Sequence, residues 1–154
     1  MFVDAPAIVA ILAREDEAVD LVTRFEKSYS RVTSALAIYE AVTAITRIRS
    51  VPVGRARSIV TAFLDRSGIS IMTIGEAECH AALDAFERYG KGRHPARLNM
   101  GDCFAYACAR TRGLPCCSRG TSSARRTFRS PKAGRSPKPG RSPECAVEFL
   151  PAFL

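Results

Sequence analysis

Short apolar runs set between stretches of helical period constrain this chain more than any other feature. Phe2-Val3, Arg31-Val32-Thr33 and the alternating, β-branched Ile69-Ser70-Ile71-Met72 read as strands, and Leu114-Pro115-Cys116-Cys117 as a weaker fourth. Between them the period is helical: residues 7–13 with Pro6 in the first turn, residues 16–25, and a long helix capped by Ser34 through Leu36, Ile38, Tyr39, Val42, Ile45 and Ile48. Another helix runs from Pro52 through Ile59, Val60, Phe63 and Leu64 to Gly68. Helices over 76–89 and 98–112 flank a loop at 90–95. Strands separated by helices predict an α/β fold, a three-layer α/β/α sandwich on a mostly parallel sheet covered on both faces. Such sheets place their sites beyond the carboxyl ends of the strands, which directs attention to Asp4.

Charge is unevenly distributed. The 154 residues carry a formal +8, yet residues 1–113 hold 15 basic and 13 acidic side chains, and residues 114–154 hold eight basic against Glu144 and Glu148. The body is close to neutral, so a general affinity for nucleic acid inferred from net charge would rest on the tail. Residues 118–143 repeat Arg-Ser-Pro three times among Ser, Pro, Gly and Arg, a composition unable to build a core. The expected division is a folded domain over 1–117 and a basic, disordered tail over 118–154. No apolar run approaches the roughly 20 residues of a membrane span. Met1-Phe2-Val3-Asp4 lacks the basic start of a secretory signal, and six Cys without a Cys-x-x-Cys spacing favour free thiols. A cytoplasmic protein is expected.

Three acids lie in apolar surroundings: Asp4 at a strand end, Glu40 early in a long helix and Asp102 near the start of another. Ionised carboxylates in such places are costly unless paired or bound to a metal, and converging oxygen ligands favour Mg²⁺ or Mn²⁺ over zinc. Each also has a plain structural reading: Asp4 as a turn former, Glu40 as a surface helix residue, Asp102 as a partner of a helix N-terminus. Tyr39, Tyr89 and Tyr106 read as packing residues rather than base-stacking platforms, and His80 as an ordinary helix residue.

Met1-Phe2-Val3-Asp4 with Ile8-Val9-Ala10-Ile11-Leu12, Tyr39-Glu40-Ala41, and Tyr89-Gly90-Lys91-Gly92-Arg93-His94-Pro95-Ala96 leading into Leu98-Asn99-Met100-Gly101-Asp102-Cys103-Phe104-Ala105-Tyr106-Ala107 together resemble a PIN-domain ribonuclease of the VapC toxin type. The resemblance covers residues 1 to about 115 in order. It implies Mg²⁺-dependent hydrolysis of RNA phosphodiester bonds, with Mn²⁺ as a substitute ion. Asp4, Glu40 and Asp102 would be the catalytic, metal-holding acids, and Lys91, Arg93, His94 and Asn99 would contact RNA. It also implies a VapB-type antitoxin as inhibitor and a homodimeric toxin.

Two departures accompany it. Pro6 stands where the family usually has Ser or Thr, and beyond Pro115 the family's apolar strand, Lys-Gly turn and fourth acid are missing. Codons permitted for residues 115–131, read from the last base of the Pro115 codon, spell Leu-Leu-Phe-Lys-Gly-Asn-Glu-Phe-Gly-Ala-Thr-Asp-Ile-Pro-Leu-Ala, a family-like ending. A frame shift near residue 115 would account for the tail, and loss of the fourth acid is expected to impair activity. Two other readings stand beside the nuclease: a catalytically impaired remnant that still binds antitoxin, and a nucleic-acid-binding protein acting through the basic tail.

Overall fold

The computed structural model describes residues 1–117; the tail expected from Ser118 onward, and most of the stretch expected to be frame-shifted, lie outside the described residues. Ten described elements follow one another, each strand separated from the next by a pair of helices: β1 (Phe2–Val3), α1 (Ala5–Ala13), α2 (Ala18–Glu26), β2 (Arg31–Ser34), α3 (Ala35–Arg49), α4 (Val53–Arg66), β3 (Ile69–Met72), α5 (Glu76–Tyr89), α6 (Met100–Thr111) and β4 (Cys116–Cys117). All three strand pairings are parallel, and the sheet order is β3-β2-β1-β4. The chain steps outward from β1 to β2 to β3, then crosses back to lay β4 on the other side of β1. The direction of winding therefore reverses at β1, which is where a parallel α/β sheet opens a crevice.

Alternation of side chains along the strands builds two cores. Val3 and Cys117 face α1, α2, α3 and α4, joining Ile8, Leu21, Phe25, Ile45, Val60 and Phe63. Phe2 and Cys116 face the opposite layer, packing with Met72 and with Ala105, Cys108 and Ala109 of α6. Helix α6 in turn packs on α5 through Ala82, Ala85, Cys103 and Tyr106. The result is the expected three-layer sandwich, with β1 fully buried although it is two residues long. Main-chain bonds anchor it on both sides: Phe2 N–H donates to Pro115 O at 2.9 Å, Asp4 N–H to Cys117 O at 3.0 Å and Val32 N–H to Met1 O at 2.9 Å.

Local differences from the sequence reading have physical causes. Helix α1 begins at Ala5 rather than residue 7, because Asp4 is its N-cap and accepts from Ala5 N–H at 2.8 Å, with Pro6 inside the first turn. Helix α6 begins at Met100 rather than residue 98. Leu98 is extended and bridges Gly90, and Asn99 caps the helix. The second helix starts at Ala18 rather than residue 16, and β4 keeps only Cys116–Cys117 of the expected four residues. Tyr106 packs as expected, buried 6.1 Å from the Tyr89 ring, but Tyr39 is 67% exposed on α3 and packs against no core. The five described cysteines are free, and burial pushes the Cys108 thiol up to about 11, so it is an inert apolar group. Among the described residues no helix is long and apolar enough to cross a membrane.

Candidate functional site

One open cleft lies at the carboxyl ends of β1 and β2, lined by Phe2, Asp4, Ser34, Leu36, Ala37, Glu40, Gly101, Phe104 and Ala105. It is a shallow, open depression that encloses almost no space of its own, far from the roughly 300 Å³ at which drug-sized ligands begin to be enclosed. An ion with waters, or a phosphate group laid across the opening, suits it better than a buried organic molecule.

Each wall follows from local sequence. Asp4 ends β1 and is 4% exposed, its carboxylate accepting the first free N–H of α1. Ser34 ends β2 and caps α3, accepting from Ala37 N–H at 3.2 Å, as its position before an apolar helical run predicts. Glu40 follows one and a half turns along α3 and is half-buried on the cleft side. Burial raises the pKa of Glu40 and the nearby Asp102 charge raises it further.

Asp102 occupies the third position of α6 and forms a reciprocal capping box. Asn99 N–H donates to Asp102 Oδ2 at 2.9 Å, and Asp102 N–H donates to Asn99 Oδ1 at 3.0 Å. Asp4 and Glu40 thus share the cleft, whereas Asp102 stands beside its Gly101 wall with one carboxylate oxygen engaged in the cap. The expected convergence of three acids is partial. Among the described residues, no three His, Cys, Asp or Glu side chains form a ready-made ion-binding group.

Lys91, Arg93 and His94 lie on the loop between α5 and α6 and do not line the cleft. The loop is closed by Lys91 N–H to Leu98 O at 3.0 Å and Leu98 N–H to Tyr89 O at 2.9 Å. Arg93 stacks its guanidinium 5.1 Å from the Phe86 ring centre. His94 stands edge-on to Tyr89 at 5.4 Å, and its Nδ1 accepts from Ala96 N–H at 3.0 Å. Asn99, expected at the RNA, uses its side-chain carbonyl for the cap. The sequence marks Ser34 only as a helix cap and Gly101 only as part of a motif, neither as a wall of the site. A glycine next to an acid in the first turn of a helix was the available signal, since glycine weakens helices and marks close approach.

Comparison with known proteins supplies the lineage. A PIN-domain family model matches residues 1–128. A VapC ribonuclease of Rhizobium meliloti is 41% identical over 125 residues, covering 73% of this chain and 88% of the relative. A ribonuclease VapC of Mycolicibacterium smegmatis is 35% identical, covering 78% and 91%. Among solved structures, Mycobacterium tuberculosis VapC20, described as a sarcin-ricin-loop-cleaving toxin, aligns with a TM-score of 0.57 over 73% of this chain and 83% of that one. At 16% identity that match speaks to the fold alone. The reversal of winding at β1, the acid-bearing cleft beyond it and these matches agree: the chain belongs to the PIN-domain family and is similar to its VapC-type toxins.

Proposed function

We propose that the protein is a divalent-metal-dependent endoribonuclease, the toxin half of a VapBC-type pair, in which Asp4, Glu40 and Asp102 hold the metal or its waters. One observation carries the reading: Asp4 and Glu40 face one small open cleft at the switch point of the sheet, with the Asp102 charge close enough to raise the Glu40 pKa. Two carboxylates left near one another in a half-buried place gain most from a cation between them. The donors are hard oxygens, and Mg²⁺ keeps several waters while needing only one or two protein carboxylates, so the residues present fit Mg²⁺, with Mn²⁺ as substitute. When bound, such an ion offsets charge growing on the scissile phosphate and lowers the pKa of an attacking water.

The protein's own residues divide the remaining work. Asp4 is fixed by the α1 N-terminus, so its carboxylate is preorganised rather than mobile. Asp102 keeps Oδ2 in the capping box, which leaves Oδ1 outside that bond. Lys91, Arg93 and His94 on the exposed loop, with the amide of Asn99, engage RNA phosphates flanking the cut. A VapB-type antitoxin inhibits the protein, and the toxin is a homodimer.

Purified full-length chain incubated with RNA should show cleavage that Mg²⁺ supports and chelation abolishes, and that Asp4→Asn removes. Cleavage by the chain as written is weak, because its sequence lacks the family's fourth acid and carries Pro6 in place of a hydroxyl; restoring the shifted frame after Pro115 should raise it clearly. Equal cleavage by Asp4→Asn and the parent would overturn the reading. RNA affinity that collapses on removal of residues 118–154, with no cleavage from either the parent or the frame-restored chain, would favour a binding protein acting through its tail.

A further inference from the structure

Gly101 sits at the second position of α6, where Ala would ordinarily be better by about 0.5–1 kcal/mol. Its backbone gives no reason for glycine, since the described glycines with positive φ are Gly68, Gly92 and Gly113. The reason is steric. A Cβ built on Gly101 would stand 2.6 Å from Glu40 Oε2 and 2.8 Å from Glu40 Cδ, nearer than side-chain atoms pack. The group in the way is the carboxylate itself, the end of a flexible side chain on α3, rather than any part of the main chain. A side chain at 101 would therefore leave the helix intact and push the Glu40 carboxylate off α6.

Asp102, one residue on, has its carboxylate held by the opposite device, the two hydrogen bonds to Asn99. Both acids are thus located by the same turn of helix, one through a missing side chain and one through a cap. We propose that the first turn of α6 is the positioning element of the nuclease centre: Gly101 is a positioning residue for Glu40, and Asn99 one for Asp102. This rests on the metal-site reading above. It assigns Gly101 a role set by space, and gives Asn99 a task separate from touching RNA.

The test is Mn²⁺ affinity of the full-length chain, read by electron paramagnetic resonance, beside the melting temperature without metal. Gly101→Ala should bind Mn²⁺ about tenfold or more weakly, the loss typical when the groups that orient metal ligands are removed, while its metal-free melting temperature stays at or above the parent's. Asn99→Ala should weaken binding similarly, and Asn99→Ser, which can still cap, should restore it. A purely structural role would lower the melting temperature and spare the affinity. Parent-like Mn²⁺ affinity in Gly101→Ala and Asn99→Ala, with binding lost in Asp4→Asn, would overturn this inference and leave the metal site standing. If Gly101→Ala does not fold, the Asn99 pair decides: Ala and Ser variants both binding like the parent would overturn it. Absence of Mn²⁺ binding by the parent would bring down the metal reading and this inference together.

Discussion

Helix α6 has a glutamate at each end, each from another helix, and the two are treated in opposite ways. At its C-terminal end Glu78 of α5 accepts from Gly75 N–H at 2.8 Å and from the Thr111 hydroxyl at 2.9 Å. Those bonds hold its carboxyl below the usual range, the Gly75 N–H contributing most. At the N-terminal end Glu40 of α3 is driven the other way, by burial first and by Asp102 second. One carboxylate is satisfied by the fold, and the other is placed by the fold in surroundings that disfavour its charge. Carboxylates of the first kind hold elements together; those of the second kind concentrate at sites that act on something else.

The largest effect should follow from Glu40→Gln. Loss of a metal-holding carboxylate should reduce Mg²⁺-dependent RNA cleavage, measured on the frame-restored chain, by more than about a hundredfold, since even residues behind the ligands commonly cost 10–100-fold in metal affinity or activity. Stability should move differently. The folded Glu40 carboxyl titrates above its ordinary value of 4.5, so the stability it contributes is complete below that pH and lost as pH rises through the folded value. Metal-free Glu40→Gln should therefore match the parent in acid and equal or exceed it at neutral pH, in urea titrations with chelator present. Neutral-pH destabilisation by Glu40→Gln would place Glu40 with Glu78 as a structural group and erase the contrast.

An intermediate effect is expected at the other end of α6. Glu78→Ala strips partners from the Gly75 N–H and the Thr111 hydroxyl, and cap losses of this kind cost about 1–2 kcal/mol. The sign with pH is reversed. A carboxyl held low contributes stability above its ordinary value of 4.5, and that stability is lost as pH falls through the folded value. The gap between parent and Glu78→Ala should be full at neutral pH and close in acid, with Mn²⁺ affinity unchanged. A fall in Mn²⁺ affinity on Glu78→Ala would show that the two ends of α6 are not independent.

What the sequence discloses and conceals follows the same line. Ser34 and Asp4 were legible because a cap and a strand end are local signals: the residue type, its neighbours and the apolar period that follows determine them. The parallel sheet was legible for the same reason. The exposure of Tyr39 was not, because an aromatic in a helical run shows period but not which neighbours arrive at its face. The start of α6 at Met100 depended on Leu98 finding Gly90 across the loop. Gly101 was half legible: a glycine beside an acid in a first turn marks a close approach, but the group that approaches, the Glu40 carboxylate of α3, is chosen by the tertiary fold. Asp102 lay between the two cases. Its N-terminal dipole reading and its site reading were both available, and the capping box with Asn99 serves the first while positioning it for the second.

The smallest effect concerns the loop that leads into α6. Arg93 rests its guanidinium on Phe86, an arrangement that contributes only about 0.5–1 kcal/mol at exposed positions. Arg93→Gln should therefore leave the melting temperature nearly unchanged, while Gly101, at the far end of the same segment, keeps its place against Glu40 of α3. If Arg93 meets an RNA phosphate, its removal should weaken binding about equally for all sequences. It should also lower the salt slope of log affinity by about one phosphate contact. The measurement is RNA affinity across a salt series on Asp4→Asn, which prevents cleavage during titration. A salt slope unaltered by Arg93→Gln would make the loop a solvated, structural closure of the α5–α6 pair, and would confine RNA recognition to the cleft and its carboxylates.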